Sequence, residues 1–282
     1  MQKKNSLCYT VIMKTTLPGV FCATKKDGSL YYRASLTYRS RHISLGSFDS
    51  ESKAHEAYLD GCRILHDTSV TIHSYDDNSS LAFPKWVSLL NFRDNGIYIA
   101  TPIYIYKKFF EYYLSPDHIL KFDLDDLFFY SSHKIMKRGG HLFVADYGMQ
   151  VNVASRYGIK NYGVEGRDYR FVNGDPNDYR YENIEILNRY HGVSRIRHKH
   201  KETFQARIHV RSTLLIGRYE SEIHAAIAYN KAIDILKKAG VKKQYVPNYI
   251  ENLSPALYAD IYNSLTISDT ILSYEEPADH AE

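Results

Sequence analysis

Twice along the chain, short runs of alternating apolar and polar residues give way to a helical period. In residues 203–211, Phe204, Ala206, Ile208 and Val210 fall on one face of a strand, and Gln205, Arg207, His209 and Arg211 on the other. In residues 33–39, Ala34, Leu36 and Tyr38 point one way and Arg33, Ser35, Thr37 and Arg39 the other. One face reads as core and the other as a row of polar groups. Lys26-Asp27-Gly28-Ser29 and residues 198–202 read as turns closing the first hairpin of each series. A helix is then expected from Asp49-Ser50-Glu51 and from Glu220-Ser221-Glu222. Its inner face carries Ala54, Ala57, Tyr58, Gly61 and Cys62 in the first series, and Ala225, Ala228, Tyr229, Ala232 and Ile233 in the second. Small residues there let helix and sheet approach closely.

The two series are copies of one module. Residues 45–65 lie over 216–236 without a gap: Gly46 meets Gly217, Phe48 meets Tyr219, Glu51 meets Glu222, Ala54 meets Ala225 and Tyr58 meets Tyr229. Upstream, residues 31–36 correspond to 203–208 and Gly19-Val20 to Gly192-Val193, if each intervening turn differs by about one residue. The expected architecture is α+β: two modules of three-stranded antiparallel sheet plus helix, flanking a different centre. The divisions are 1–70 for the first module, 71–117 for a helical and aromatic connector with a helix around Phe83–Phe92, 118–188 for the centre, 189–250 for the second module and 251–282 for an acidic helix and tail.

A three-stranded sheet backed by a helix, with a polar outer face, has a shape that enters the major groove, where Arg, Gln, Ser and Thr read base edges. The pattern is Gly-Val, then an aromatic-x-Ala-x-aliphatic strand, then Leu/Ile-Gly-x-Phe/Tyr and an Ala-rich helix carrying Ala-Tyr. It resembles the plant Apetala/ethylene-response-factor DNA-binding domain, also found in phage and bacterial homing endonucleases. The resemblance covers about 100 residues of the chain. It implies base and phosphate contacts at Arg33, Ser35, Thr37, His42 and Ser44, and at His191, Ser194, Arg207, His209 and Thr213. The neighbouring cations Arg39, Arg41, Arg195, Arg197, Lys199 and Arg211 join them as expected contacts to duplex DNA. Both copies lack the full Arg and Trp set of many plant members, so the sequence read differs.

Charge is distributed in keeping with this. The chain as a whole carries a formal net charge of +4. Residues 189–243 hold thirteen Lys/Arg against four Asp/Glu, whereas residues 251–282 hold seven acids and no Lys or Arg. The second module is a basic patch suited to phosphate, and the acidic end is its counterweight. The last residues, around Glu275-Glu276-Pro277, are short of apolar groups to bury and are expected to be disordered.

The segment from Arg170 to Ile184, with Phe171, Asn173-Gly174-Asp175, Asp178, Arg180 and Asn183, reads as a turn followed by a short helix. It is similar to the core of HNH nucleases, and Phe122–Asp126 and Lys137–His141 resemble segments preceding that core in phage enzymes. The similarity fails at the chemistry. In that family a His stands two residues before the Asn and activates water, and another His on the preceding strand helps to hold a divalent cation. Here the first place is Phe171, and the expected strand, residues 151–156, has no His. A general base must titrate near neutral pH, and phenylalanine cannot accept a proton. His133, His141, Asp146 and Asp168 are the substitute candidates. The resulting expectation is a degenerate HNH-like ββα centre with no catalytic residues, no metal and no cofactor, in a DNA-binding repressor. An active divergent nuclease and a DNA-bending protein are the competing readings.

Composition excludes other classes. With 44% apolar and 14% aromatic residues the chain is globular rather than disordered. No apolar stretch approaches a membrane span, and the start, Met1–Asn5, is followed by no signal-peptide core. The expected place is the cytoplasm of a bacterium or of a phage-infected host cell, with no membrane partner. Cys8, Cys22 and Cys62 have no metal-ligand spacing and read as reduced, with Cys62 in a core.

Overall fold

The computed structural model describes residues 13–198 and 201–276 of an α+β chain. It divides into two compact units, one of residues 13–153 with Pro176–Tyr181, the other of Ala154–Asp175 with the residues from Glu182 onward.

The first unit opens with a four-stranded antiparallel sheet in the order β1 (Met13–Lys14), β2 (Val20–Thr24), β3 (Leu30–Tyr38) and β4 (Arg41–Phe48). Helix α1 (Glu51–His66) follows, capped by Ser50, whose hydroxyl accepts the Lys53 N–H at 3.3 Å. Ala54, Ala57 and Ile64 of α1 are buried against Val20, Ala34, Leu36, Ile43 and Leu45 of the sheet. Gly61 lies so close to Leu36 and Leu45 that a Cβ would crowd both, so the small residue sets the helix–sheet spacing. Helix α2 (Phe83–Asn95) contributes Trp86, Leu89, Leu90 and Phe92 to this same core. The helix expected within the connector thus completes the first core.

Two further sheets follow. Strands β5 (Ile103–Ile105), β6 (Phe109–Ser115) and β7 (His118–Asp123) pair in sequence, and helix α3 (Leu127–Ser132) sets Tyr130 against Phe122 with ring centroids 4.3 Å apart. Strands β8 (Ile135–Arg138), β9 (His141–Asp146) and β10 (Met149–Asn152) form a meander. The strand expected over 151–156 ends at Asn152, and Val153–Arg156 is one helical turn, α4. Pro176–Tyr181 returns to this unit, with Asp178 bridged to Lys121 of β7.

In the second unit β11 (Tyr169–Phe171) pairs with β12 (Ile184–Ile186). The short helix expected here is a single 3-10 turn, Tyr181–Asn183, which leads directly into β12. A three-stranded sheet follows, β13 (Val193–His198), β14 (Lys201–His209) and β15 (Thr213–Tyr219), backed by α5 (Glu222–Lys238). Ser221 caps α5 as Ser50 caps α1. Ala206, Ile208, Ile216, Ala225, Tyr229, Ala232 and Leu236 form its core.

The acidic segment is folded into this core. Helices α6 (Pro255–Ser264) and α7 (Asp269–Leu272) follow Asn248 and Ile250, and Ile250, Ile267 and Ile271 are buried with the α5 residues. Disorder is therefore the wrong expectation as far as Glu276, whose carboxylate accepts from Arg211 at 3.1 Å. Residues 277–282 lie outside the described residues, as does Cys8. Cys22 is the buried cysteine, whereas Cys62 is only partly buried at the edge of the first core. Among the described residues no helix is long and apolar enough to cross a membrane.

Candidate nucleic-acid interface

The two repeat sheets agree in register as well as in sequence. In the first, Ala34 pairs with Gly46 and Ser35 with Ser44, so Leu45 is the extra residue of a β-bulge. In the second, Ala206 pairs with Gly217 and Arg207 with Leu215, so Ile216 is the extra residue at the corresponding place. Just past each bulge the N–H of Ser35 donates to the Gly19 carbonyl at 3.0 Å, and that of Arg207 to the Gly192 carbonyl at 2.7 Å.

Directly opposed residues share a face of a sheet, so the pairing sorts each side chain. In the first sheet Phe21 pairs with Arg33 and Arg33 with Ser47, while Ser35 pairs with Ser44 and Thr37 with His42. These residues alternate with Ala34, Leu36 and Ile43, which face the helix, and so they form the outer row. In the second sheet the outer row is Ser194, Gln205 and Arg218 across three strands, then Arg207 with Leu215, then His209 with Thr213. The His209 ring nitrogen Nδ1 lies 3.3 Å from the Thr213 hydroxyl. Nine of the expected contact residues therefore stand on outer rows: Arg33, Ser35, Thr37, His42 and Ser44, with Ser194, Arg207, His209 and Thr213.

Six others are elsewhere, for reasons of pairing and turn geometry. Arg39 occupies the left-handed hairpin turn at φ +46° and donates to the Phe92 carbonyl at 3.3 Å. Arg41 pairs with Tyr38 on the helix side and lays its guanidinium 4.5 Å from the centroid of the Tyr98 ring. Arg195 and Arg197 oppose Phe204 and Glu202, again on the helix side, and both reach the Glu202 carboxylate, at 3.5 and 3.1 Å. Arg211 lies in the turn between β14 and β15, paired with Glu276. His191 is turned inward between Tyr162 and Tyr229, with centroids 4.3 and 5.3 Å away, and its Nδ1 has no hydrogen-bond partner among the described residues. Burial, and then the nearby Arg167 charge, hold its pKa below the usual 6.5. Lys199 lies outside the described residues.

The cations that remain exposed on the outer rows are of a different kind. Arg33, Arg207 and Arg218 make no ion pair among the described residues. Phe21, Ser47, Gln205, Leu215 and Arg218 are outer-row members missing from the expected contacts. Gln205 already stood on the polar side of the alternation. Arg218 and Phe21 require the bulge and the cross-strand register, which no period-2 pattern contains.

The centre is built from the same residue types that its sequence advertised, each held in a local contact. Phe171 is buried on β11, and Asn183 accepts the Asn173 N–H at 2.8 Å through its side-chain oxygen. The Asn173 side chain accepts the Asp175 N–H at 2.8 Å, and Gly174 takes φ +77°, a tight Asx turn. Asp178 is 1% exposed and paired with Arg180 at 2.6 Å. Of the substitute catalytic candidates, His133 holds the Phe129 carbonyl through Nδ1 at 2.8 Å and faces Asp146 through Nε2 at 3.5 Å, so both ring nitrogens are engaged. Asp168 is buried, accepting from Val164 N–H and the Arg167 guanidinium and pinning its own loop. His141 is exposed beside the Gly139-Gly140 turn. Among the described residues no three His, Cys, Asp or Glu side chains converge as a metal-holding group.

Compared with protein-family models, curated proteins and solved structures, the chain matches none.

Proposed function

We propose that this chain is a sequence-specific duplex DNA-binding protein that lays the outer rows of its two repeat sheets into the major groove. The observation that carries the reading is a contrast among its arginines. Those on the helix side or in turns are engaged by carboxylates, carbonyls or rings, while Arg33, Arg207 and Arg218 project from the outer rows with no ion pair among the described residues. Exposed guanidiniums on an antiparallel sheet match both the phosphates and the guanine edge. Ser, Thr and His side chains interleaved with them supply further donors and acceptors.

The DNA is bound and not cut. Phe171 occupies the place where the resembled nucleases carry their base, and Asn173 and Asn183 are committed to the turn. A protein that occupies a site without cleaving it blocks what would otherwise read that site. The role that follows is a transcriptional repressor descended from a homing endonuclease of a phage or mobile element, at work in the cytoplasm of the bacterial host. Binding of the full chain to a random-sequence duplex pool, followed by selection, tests this. Enrichment of a defined sequence, with affinity falling steeply as salt is raised, is the expected result. Weak binding with no enriched sequence, or a flat salt response, would sink it.

A further inference from the structure

The two outer rows share a register but not a relief. In the first sheet Phe21, Arg33, Ala34, Ser35, His42 and Ser44 line a depression of about 200 Å³. Its lining is mostly carbon, with the Phe21 ring on one side and Ala34, fully buried, at the bottom. Ser35 is the first residue past the bulge on its strand and is only 9% exposed, so the sheet surface is hollow there. The residue just past the bulge in the second sheet is Arg207, exposed and projecting. The counterpart of Phe21, judged by its pairing on the central strand, is Ser194. One module therefore carries an apolar hollow rimmed by Arg33 and His42, and the other a guanidinium at the same place.

Along its floor the major groove offers hydrogen-bonding edges and one apolar group, the 5-methyl of thymine. We propose that the depression in the first sheet receives the 5-methyl edge of a thymine in duplex DNA, with Arg33 on its rim donating to an adjacent base or phosphate oxygen. The inference rests on the DNA-binding reading above. The volume exceeds that of a methyl group alone and accommodates the C5–C6 edge that bears it. The second module carries Arg207 at the corresponding place, so the two halves of a bound site differ in what they require.

The test begins with the duplex that the full chain selects from a random pool. Each thymine in it is replaced singly by deoxyuridine, which keeps the hydrogen-bonding edge and removes only the methyl. At one or two positions the replacement should weaken binding about fourfold, the loss expected for one buried methyl group. Ser35→Arg, which fills the hollow with the residue of the second sheet, should bind the thymine and deoxyuridine duplexes alike. Phe21→Ser should narrow the same difference, and circular dichroism checks that both surface variants stay folded. If the unaltered chain binds thymine and deoxyuridine equally at every position, the hollow serves something else, such as an apolar side chain of a protein partner, and the proposal is overturned while DNA binding stands. If the chain selects no duplex at all, the DNA-binding reading falls and the proposal with it.

Discussion

Gly192 lies beneath the ring of Tyr229 at φ +72°, with no room for a Cβ, and Gly19 stands to Tyr58 in the same way at φ +73°. Each glycine carbonyl also accepts the N–H of the residue that follows the bulge, Arg207 in one sheet and Ser35 in the other. One contact thus ties the helix to the start of β2 in one sheet and of β13 in the other, and fixes where the outer row begins. This explains why the pairs Gly19/Tyr58 and Gly192/Tyr229 are repeated in both copies.

Gly192→Ala should therefore be far more costly than an ordinary glycine substitution. The left-handed backbone contributes roughly 1–2 kcal/mol and the clash with Tyr229 roughly 1–3 more. Gly28, at φ +84° with nothing within 4 Å of a Cβ, should show the backbone cost alone when changed to Ala. Urea unfolding of both variants checks this. Equal losses would mean that the Tyr229 contact is not what constrains Gly192.

The placement of the arginines separates two groups that the sequence alone merges. Arg207→Ala should weaken DNA binding and relax base preference, by roughly 1–3 kcal/mol if the side chain is bidentate to a guanine. Arg195→Gln and Arg197→Gln, on the helix side and paired with Glu202, should change affinity much less. Titrations of each variant against matched and single-base-changed duplexes measure both quantities. A larger loss from Arg197→Gln than from Arg207→Ala would reverse the assignment of faces.

The repeat, its strand alternation, its helices and the α+β class were all legible in the sequence because they follow from periodicity and from the small residues at 54, 57, 61, 225, 228 and 232. The one-residue difference between hairpins is equally visible in the structure, with six residues between the paired Leu36 and Ile43 in one copy and five between the paired Ile208 and Leu214 in the other. What escaped were facts of side-chain direction. Arg39 continues the alternation on paper but sits in a turn with positive φ, and Arg195 has the parity of Phe204 only once the β13–β14 register is known. The acidic helix was expected, whereas order as far as Glu275-Glu276 escaped because those residues themselves bring no apolar surface. Ile250, Ile267 and Ile271, with Leu253, Tyr258, Ile261, Leu265 and Tyr274 packed around them and a buried amide pair alongside, hold the segment.

That amide pair makes the C-terminal segment part of the second module's stability. Asn230 donates to the Asn248 carbonyl at 2.9 Å and accepts the Asn248 N–H at 2.7 Å, while the Asn248 side chain exchanges two bonds with the His191 backbone. Asn248→Ala leaves buried partners unsatisfied and should cost roughly 1–3 kcal/mol. Ile271→Ala, at a fully buried site, should cost roughly 2–5 kcal/mol. Glu276→Gln, which loses only a partly exposed ion pair, should have an effect near zero. Thermal melts rank the three. A segment that merely rests on the surface would leave all three near the parent.

His191 should give the second unit a pH-dependent stability. Its pKa in the fold is lowered, chiefly by burial, so below the usual 6.5 the unfolded chain binds a proton that the folded chain does not. Stability from this group is fully present above that value, declines as pH falls through it, and levels off below the folded pKa. Unfolding midpoints measured from about pH 8 to pH 5 should show the decline, and His191→Phe should flatten it. An unchanged slope in the variant would assign the titration to another group.

The chain should bind its selected duplex without nicking it, in Mg²⁺ or in Mn²⁺. Phe171 is buried against Tyr169, with ring centroids 5.7 Å apart, and offers neither a lone pair nor a proton. A positioned base typically supplies roughly 10²–10⁴-fold in rate, and the amides of Asn173 and Asn183, tied into the turn, do not titrate and cannot stand in for it. Phe171→His restores one group of a hydrolytic set and puts it where a ring is packed, so it should recover little or no cleavage and lose some stability. Metal-dependent cutting at a defined position by the unaltered chain, abolished by His141→Ala or Asp168→Ala, would overturn this and make the protein a nuclease.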